Sequence, residues 1–216
     1  MASHESSNLM LKHPFTAQIC GGTGVGKTEL AFNLIKYANE IIEPKCDLIY
    51  YCYGEFQQRF LDFPEVVFHK GFDSSIISHE NLQGRSLLLI LDDILDSIDP
   101  MELLKLYQMY SHHRSISPIL IVQNLFSKSC KVLRDCSINT QYLFQMKSPR
   151  DKTCVRSLQV QLEPSNSRFF NEIFNEATSE PYSFLLIDCK PSTPDHLKYR
   201  SHIFPNQRMC VYTSKK

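Results

Sequence analysis

Gly21-Gly22-Thr23-Gly24-Val25-Gly26-Lys27-Thr28 spells G-x-x-x-x-G-K-T, and its flanks decide how the rest of the chain is read. Residues 15–20, Phe-Thr-Ala-Gln-Ile-Cys, predict a short strand. Residues 29–39 predict a helix, with Leu30, Ala31, Leu34, Ile35 and Ala38 at helical spacing. Strand, glycine-rich loop and helix in that order make the Walker A phosphate-binding loop. Its glycines let successive backbone N–H groups converge on phosphate oxygens. The helix N-terminus adds the positive end of its dipole. In this reading the backbone of Gly21, Gly22, Thr23, Gly24, Val25 and Gly26 cradles the phosphates of ATP. Lys27 reaches the β- and γ-phosphates, and the Thr28 hydroxyl ligates Mg²⁺.

Leu87-Leu88-Leu89-Ile90-Leu91-Asp92-Asp93 is the second motif. A continuous aliphatic run is a strand buried on both faces of a parallel sheet. Acidic residues at its end form the Walker B pattern. Asp92 is placed to hold Mg²⁺, directly or through water. Asp93 is placed to polarise an attacking water, although Asp is one methylene shorter than the Glu that many such enzymes carry there. A complete strand unit, residues 47–53, separates the two motifs in sequence. That spacing predicts a sheet in which a further strand lies between the Walker A and Walker B strands. Ile119-Leu120-Ile121-Val122-Gln123-Asn124 supplies a candidate, ending in amides. Gln123 either bridges the γ-phosphate or attacking water to the site, or caps the segment that follows together with Asn124. Arg114 and Arg150 stand near element ends. Each is either an arginine finger or half of an ion pair, Arg150 with Asp151 or Glu163 for instance.

The remaining pattern alternates strands with helices. Strands are expected at residues 47–53, 65–69, 87–91, 119–122, 142–146, 182–188 and 197–204. Helices are expected at 55–61, 99–112, 127–135, 150–160 and 168–177. The fold class is therefore α/β, a P-loop NTPase with a mainly parallel central sheet flanked by helices. One domain is expected over residues 13–206, between a disordered tail at 1–12 and a basic tail at 207–216. No apolar run reaches the length of a membrane span, so no membrane partner is expected. The N-terminus carries no cationic apolar signal. The eight cysteines form no C-x-x-C pair, which weakens a zinc reading and suits reduced thiols inside a cell.

A net charge of zero conceals an asymmetry. Residues 1–99 hold 7 Lys+Arg against 14 Asp+Glu, and residues 100–216 hold 16 against 9. The basic half includes Lys128, Lys131, Arg134, Lys147, Arg150, Lys152, Arg156, Lys198, Arg200, Arg208, Lys215 and Lys216. Such a split suits an anionic partner on one face, and equally suits solvated helix surfaces.

GGTGVGKT, LLLILDD, SHHRSISPILIVQNLF, INTQYLFQMKSPRD and YSFLLIDCKPSTPDHLKYRSHIFP together resemble the FtsK–HerA superfamily of DNA-pumping ATPases. More narrowly, the chain is similar to the genome-packaging ATPases of poxvirus-like and adenovirus-like viruses and of Polinton (Maverick) virus-like transposons, including adintoviruses. The resemblance runs from about Phe15 to Pro205. Walker motifs alone are widely shared; the blocks at 111–126 and 147–151 are more specific. The resemblance implies a RecA/FtsK–HerA-like fold and an oligomeric ring, often a hexamer. It implies ATP-driven movement of double-stranded DNA into a viral capsid through its portal, inside the host nucleus or cytoplasm. It also implies Gln123 as sensor and an arginine finger from the adjacent subunit. The Asp-Asp ending departs from the usual acid-base pair, and the short chain leaves little room for a separate DNA-binding domain. A P-loop nucleoside or nucleotide kinase is the alternative reading; a non-hydrolytic nucleotide-binding module is the third.

Overall fold

The computed structural model describes residues 9–126 and 130–214. The loop-bearing unit forms as expected. Strand β2 (Ala17–Cys20) runs into the glycine-rich turn, and helix α1 (Lys27–Lys36) leaves it. Ahead of it, β1 (Leu11–Lys12) pairs in parallel with β3 (Ile42–Glu43), which follows the short helix α2 (Ala38–Ile41). Then come β4 (Leu48–Tyr53), β5 (Val67–Lys70), the single turn α3 (His79–Leu82) and β6 (Leu87–Asp92). Helix α4 (Pro100–Lys105) continues through a π-helical stretch, Leu106–Tyr110, to Ser111–His113. Beyond it lie β7 (Ile116–Val122), α5 (Lys131–Ile138), β8 (Tyr142–Met146), α6 (Thr153–Leu162), α7 (Ser167–Ala177), β9 (Phe184–Asp188), β10 (Tyr199–Ser201) and β11 (Cys210–Tyr212).

The main sheet has the order β11-β10-β9-β8-β2-β7-β6-β4-β5. From β8 to β5 every neighbouring pair is parallel; β9, β10 and β11 add on antiparallel. Strand β7 therefore lies between the Walker A strand and the Walker B strand, as the motif spacing predicted. Both faces of the central strands β2, β6, β7 and β8 are buried, and the two-residue period of a strand sends alternate side chains to opposite layers. Leu87, Leu89 and Leu91 join the core with α4, α6 and α7. Leu88 and Ile90 join the core under α1 with Leu30, Phe32 and Leu34. No described helix is long and apolar enough to cross a membrane.

The expected tails are shorter than their sequence boundaries. Leu11 is buried, and Arg200, fully buried itself, donates to the Leu9 carbonyl at 2.8 Å while pairing with Asp188 at 2.6 Å. At the other end, β11 pairs with β10, so 210–212 belong to the sheet. Residues 1–8 of the first tail, Lys128 and the terminal Lys215 and Lys216 lie outside the described residues. The helix expected at 127–135 begins at Lys131, the one expected at 150–160 begins at Thr153, and the last expected strand contracts to three residues. Asp151 explains the second shift: its side chain accepts from the Thr153 N–H and caps the turn before α6.

Candidate active site

The cleft forms where the parallel strands end. Some of its walls come from sequence neighbours and the rest from distant elements. Gly26 adopts φ +94°, a left-handed turn that glycine makes without steric cost, and delivers the chain into α1. In the first turn of that ten-residue helix the Leu30 N–H bonds the Gly26 carbonyl at 2.9 Å, and the N–H groups ahead of it have no intrahelical acceptors. Lys27 Nζ donates to the carbonyls of Gly21 and Gly22 at 2.9 and 2.8 Å, which holds the ammonium over the loop. Burial lowers its pKa from the ordinary lysine value, opposed by Cys20, Asp92 and Asp93; the site therefore places a partly desolvated cation where an anion would offset the cost.

Asp92 is 5% exposed at the end of β6. The Thr28 hydroxyl donates to its Oδ2 at 3.2 Å, and the Tyr51 hydroxyl donates to the same oxygen at 2.7 Å. Burial pushes the Asp92 carboxyl up from its ordinary range, while both hydrogen bonds and Lys27 pull it back. A hydroxyl and a carboxylate this close, both hard oxygen donors, fit Mg²⁺. Thr28 and Asp92 would hold that ion, which would supply positive charge to the phosphate oxygens of a bound nucleotide.

Asp93 is exposed and also left-handed, φ +52°. This turn swings its carboxylate out of the strand and into the cleft. Gly54 makes room for it: a Cβ there would stand 2.7 Å from the Asp93 carbonyl. Gln123 lines the same cleft from the end of β7. The capping work falls to its neighbour, since Asn124 Oδ1 accepts from the Phe126 N–H and Asn124 Nδ2 donates to Asp151, both at 2.8 Å. The cleft of about 880 Å³ thus unites Thr23, Gly24, Gly26, Lys27, Thr28, Asp92, Asp93 and Gln123.

The two arginines separate. Arg114 sits ahead of the N-terminal end of β7, at the opposite end of the parallel strands from the loop. Its guanidinium lies 3.9 Å over the Tyr110 ring and donates to the Ile77 carbonyl at 2.8 Å. Arg150 follows β8 on the loop side, in the 147–150 segment whose Lys147 carbonyl accepts from Gly22 N–H at 3.1 Å. Arg150 is exposed. Its anticipated ion-pair partners are engaged elsewhere: Asp151 with Asn124 and Thr153, Glu163 with Tyr199 and Lys198. Neither arginine lines the cleft.

Sequence reasoning missed Tyr51 and Tyr182. A tyrosine at a buried position of an apolar strand signals that its hydroxyl has a partner, and Tyr51 meets that description. Beneath the loop, Cys20 and Cys154 bring their sulfurs to 3.8 Å; both are free.

No family model matches the chain, and no curated protein matches it in sequence. Solved structures do match in three dimensions. The genome packaging NTPase B204 from Sulfolobus turreted icosahedral virus 2, in complex with ATP-gammaS, superposes with a TM-score of 0.54 at 12% identity, over 94% of this chain and 98% of that one. EssC (ATPases 2 and 3) from Geobacillus thermodenitrificans gives a TM-score of 0.50 at 14% identity, over 92% of this chain and 39% of that one. In fold, the chain is a P-loop NTPase: a mainly parallel sheet flanked by helices, with its phosphate loop between β2 and α1.

Proposed function

We propose that this chain is an Mg²⁺-dependent ATPase that moves double-stranded DNA, a genome-packaging motor of FtsK–HerA type. The observation that carries the ATPase reading is the convergence of Lys27, Thr28 and Asp92, with Gln123 arriving from the strand between the two motifs. Binding and orientation follow from these groups. The cleft-lining N–H groups of Thr23, Gly24, Gly26 and the start of α1 hold the phosphates with Lys27, those of Gly21 and Gly22 being bonded to the Val122 and Lys147 carbonyls. Thr28 with Asp92 holds the metal. Asp93 takes a proton from the attacking water, and Gln123 positions that water. Positive charge for the transferring phosphoryl group comes from Arg150 of a neighbouring subunit in a ring, six-membered in this proposal.

Two things support packaging over other P-loop activities. The 111–126 and 147–151 blocks carry the resemblance, and the fold similarity to B204 spans nearly the whole of both chains. The basic C-terminal half then meets phosphates of the duplex without reading bases, and the motor works at a capsid portal inside the host cell, in a virus-like element of the Polinton type. The deciding experiment measures ATP hydrolysis with and without long double-stranded DNA, alongside native mass. DNA-stimulated turnover by a ring supports the proposal. Phosphoryl transfer to a nucleoside, or nucleotide binding without turnover, overturns it.

A further inference from the structure

The phosphate cleft is one of three adjoining cavities, and a single side chain lines all of them. Tyr182 borders the cleft, a cavity of about 280 Å³ beside α1, and another of about 330 Å³ toward Pro149. It stands just ahead of β9, with 66% of its surface exposed. Its backbone is left-handed, φ +63°, a strained conformation for a residue with a ring. The ring lies directly on Gly26 of the phosphate loop: a Cβ on that glycine would stand 2.5 Å from Tyr182 Cδ1. His202, just past β10, is left-handed as well, φ +55°, and lines the 280 Å³ cavity. Two strained residues from separate elements therefore wall one cavity.

Direction follows from the site already described. Asp92, Asp93 and Gln123 come from β6 and β7, on one side of the loop, and would hold the terminal phosphate and metal there. A nucleotide is a linear molecule, so its sugar and base must leave the loop on the other side, toward β8 and β9. Glu29, the first residue past Thr28, opens the 280 Å³ cavity on that side, and Asn33 follows it one turn along α1. Asn33, His202 and Gln207 offer both donors and acceptors to a base edge.

We propose that this cavity is the nucleoside pocket and that the Tyr182 ring is the platform on which a purine base stacks. The proposal rests on the nucleoside-triphosphate reading above and adds to it the residues that see the base. Gly26 has two tasks in consequence: it turns the phosphate loop, and it leaves the space against which the ring is seated. Tyr182 contributes through its π-face, which every base can use, and the polar trio contributes the choice among bases.

The test compares the parent chain with Tyr182→Ala and Tyr182→Trp, using three probes in Mg²⁺: ATP, inorganic tripolyphosphate, and the triphosphate of 2-aminopurine riboside. Tyr182→Ala should weaken ATP about tenfold or more, the scale of one base–aromatic stack, and leave tripolyphosphate affinity unchanged. Tyr182→Trp should restore ATP binding. The 2-aminopurine fluorescence should be quenched on the parent and on Tyr182→Trp, but not on Tyr182→Ala. Lys27→Ala, as a control, should weaken ATP and tripolyphosphate alike. Equal losses on both probes for Tyr182→Ala, or no loss on ATP, would overturn the platform while leaving the phosphate loop intact. A parent chain that binds neither ATP nor tripolyphosphate would instead overturn the nucleotide reading, and the platform with it.

Discussion

Tyr51 and Asp92 sit diagonally across the β4–β6 pair, and the tyrosine hydroxyl donates to Asp92 Oδ2 at 2.7 Å from a fully buried position. The ring is held by Phe32 of α1, stacked at 5.4 Å, and by Phe60 and Phe68. An aromatic cluster at the edge of the sheet thus sets the orientation of the carboxylate that faces Thr28. Tyr51→Phe keeps the shape of the cluster and deletes only the hydrogen bond. A bond to a charged group contributes about 1.5–3 kcal/mol, so half-saturation of nucleotide binding should require about ten- to a hundredfold more Mg²⁺. Titration of a fluorescent nucleotide with Mg²⁺ measures this; an unchanged midpoint would mean that Thr28 alone orients Asp92.

Asp92 also predicts a pH dependence. Burial raises its folded-state pKa above the unfolded value of 3.8. The stabilising contribution of a raised carboxyl is fully present below the unfolded value and is lost as pH rises through the folded one. At neutral pH without metal, the ionised carboxylate therefore weighs against the fold. Asp92→Asn should melt above the parent there, each kcal/mol shifting the midpoint by roughly 2–4 °C for a chain of this size. The gap should close as pH falls below about 4. Equal melting at neutral pH would show that the hydrogen bonds offset the burial completely.

Asp93→Asn separates binding from cleavage. Asn tolerates left-handed backbone as Asp does, so the turn at φ +52° should survive. ATP affinity should match the parent, and turnover should fall by about 10²–10⁴, the range of a lost general base. Single-turnover kinetics with labelled ATP distinguish the two steps. Parent-rate cleavage would place the base elsewhere.

Arg150→Ala should bind ATP normally and hydrolyse it on the order of a thousandfold more slowly, as expected for a finger supplied in trans. Arg114→Ala should instead lower thermal stability, because its guanidinium holds Tyr110 and the Ile77 carbonyl together. Mixing Arg150→Ala with Asp93→Asn subunits gives some interfaces an intact Asp93 and an intact arginine. Recovered hydrolysis in the mixture supports a finger in trans. Failure to recover, with both variants assembling, points to a structural role.

Binding of duplex DNA should fall steeply with salt and vary little with sequence. Removing one basic side chain that neutralises a phosphate should reduce the slope of log K against log salt by about 1. Charge reversal at Lys131 and Arg134, on α5, should weaken binding uniformly across sequences. Fluorescence anisotropy on two unrelated duplexes over a salt series reads both effects, and strong selectivity for one duplex would count against a translocase.

The phosphate loop was legible from the sequence because its chemistry is local: eight consecutive residues supply the turn, the N–H groups, the cation and the hydroxyl. The aliphatic run ending at Asp92 was legible for the same reason, and strand spacing sufficed to anticipate β7 between the two motifs. The two-residue strands at 11–12 and 42–43 were not legible, since a period cannot show in two residues. What only the tertiary structure decided is which distant side chains meet. Tyr51 reaches Asp92 across 41 positions, and Tyr182 lies on Gly26 although most of the chain separates them. Arg114 and Arg150 look alike as residues beside strands. They differ because parallel strands have two chemically distinct ends, and one arginine stands at each. Local sequence encodes the backbone geometry that makes a phosphate site; the packing of remote strands determines what surrounds it, because those meetings depend on sheet order and not on neighbours in the chain.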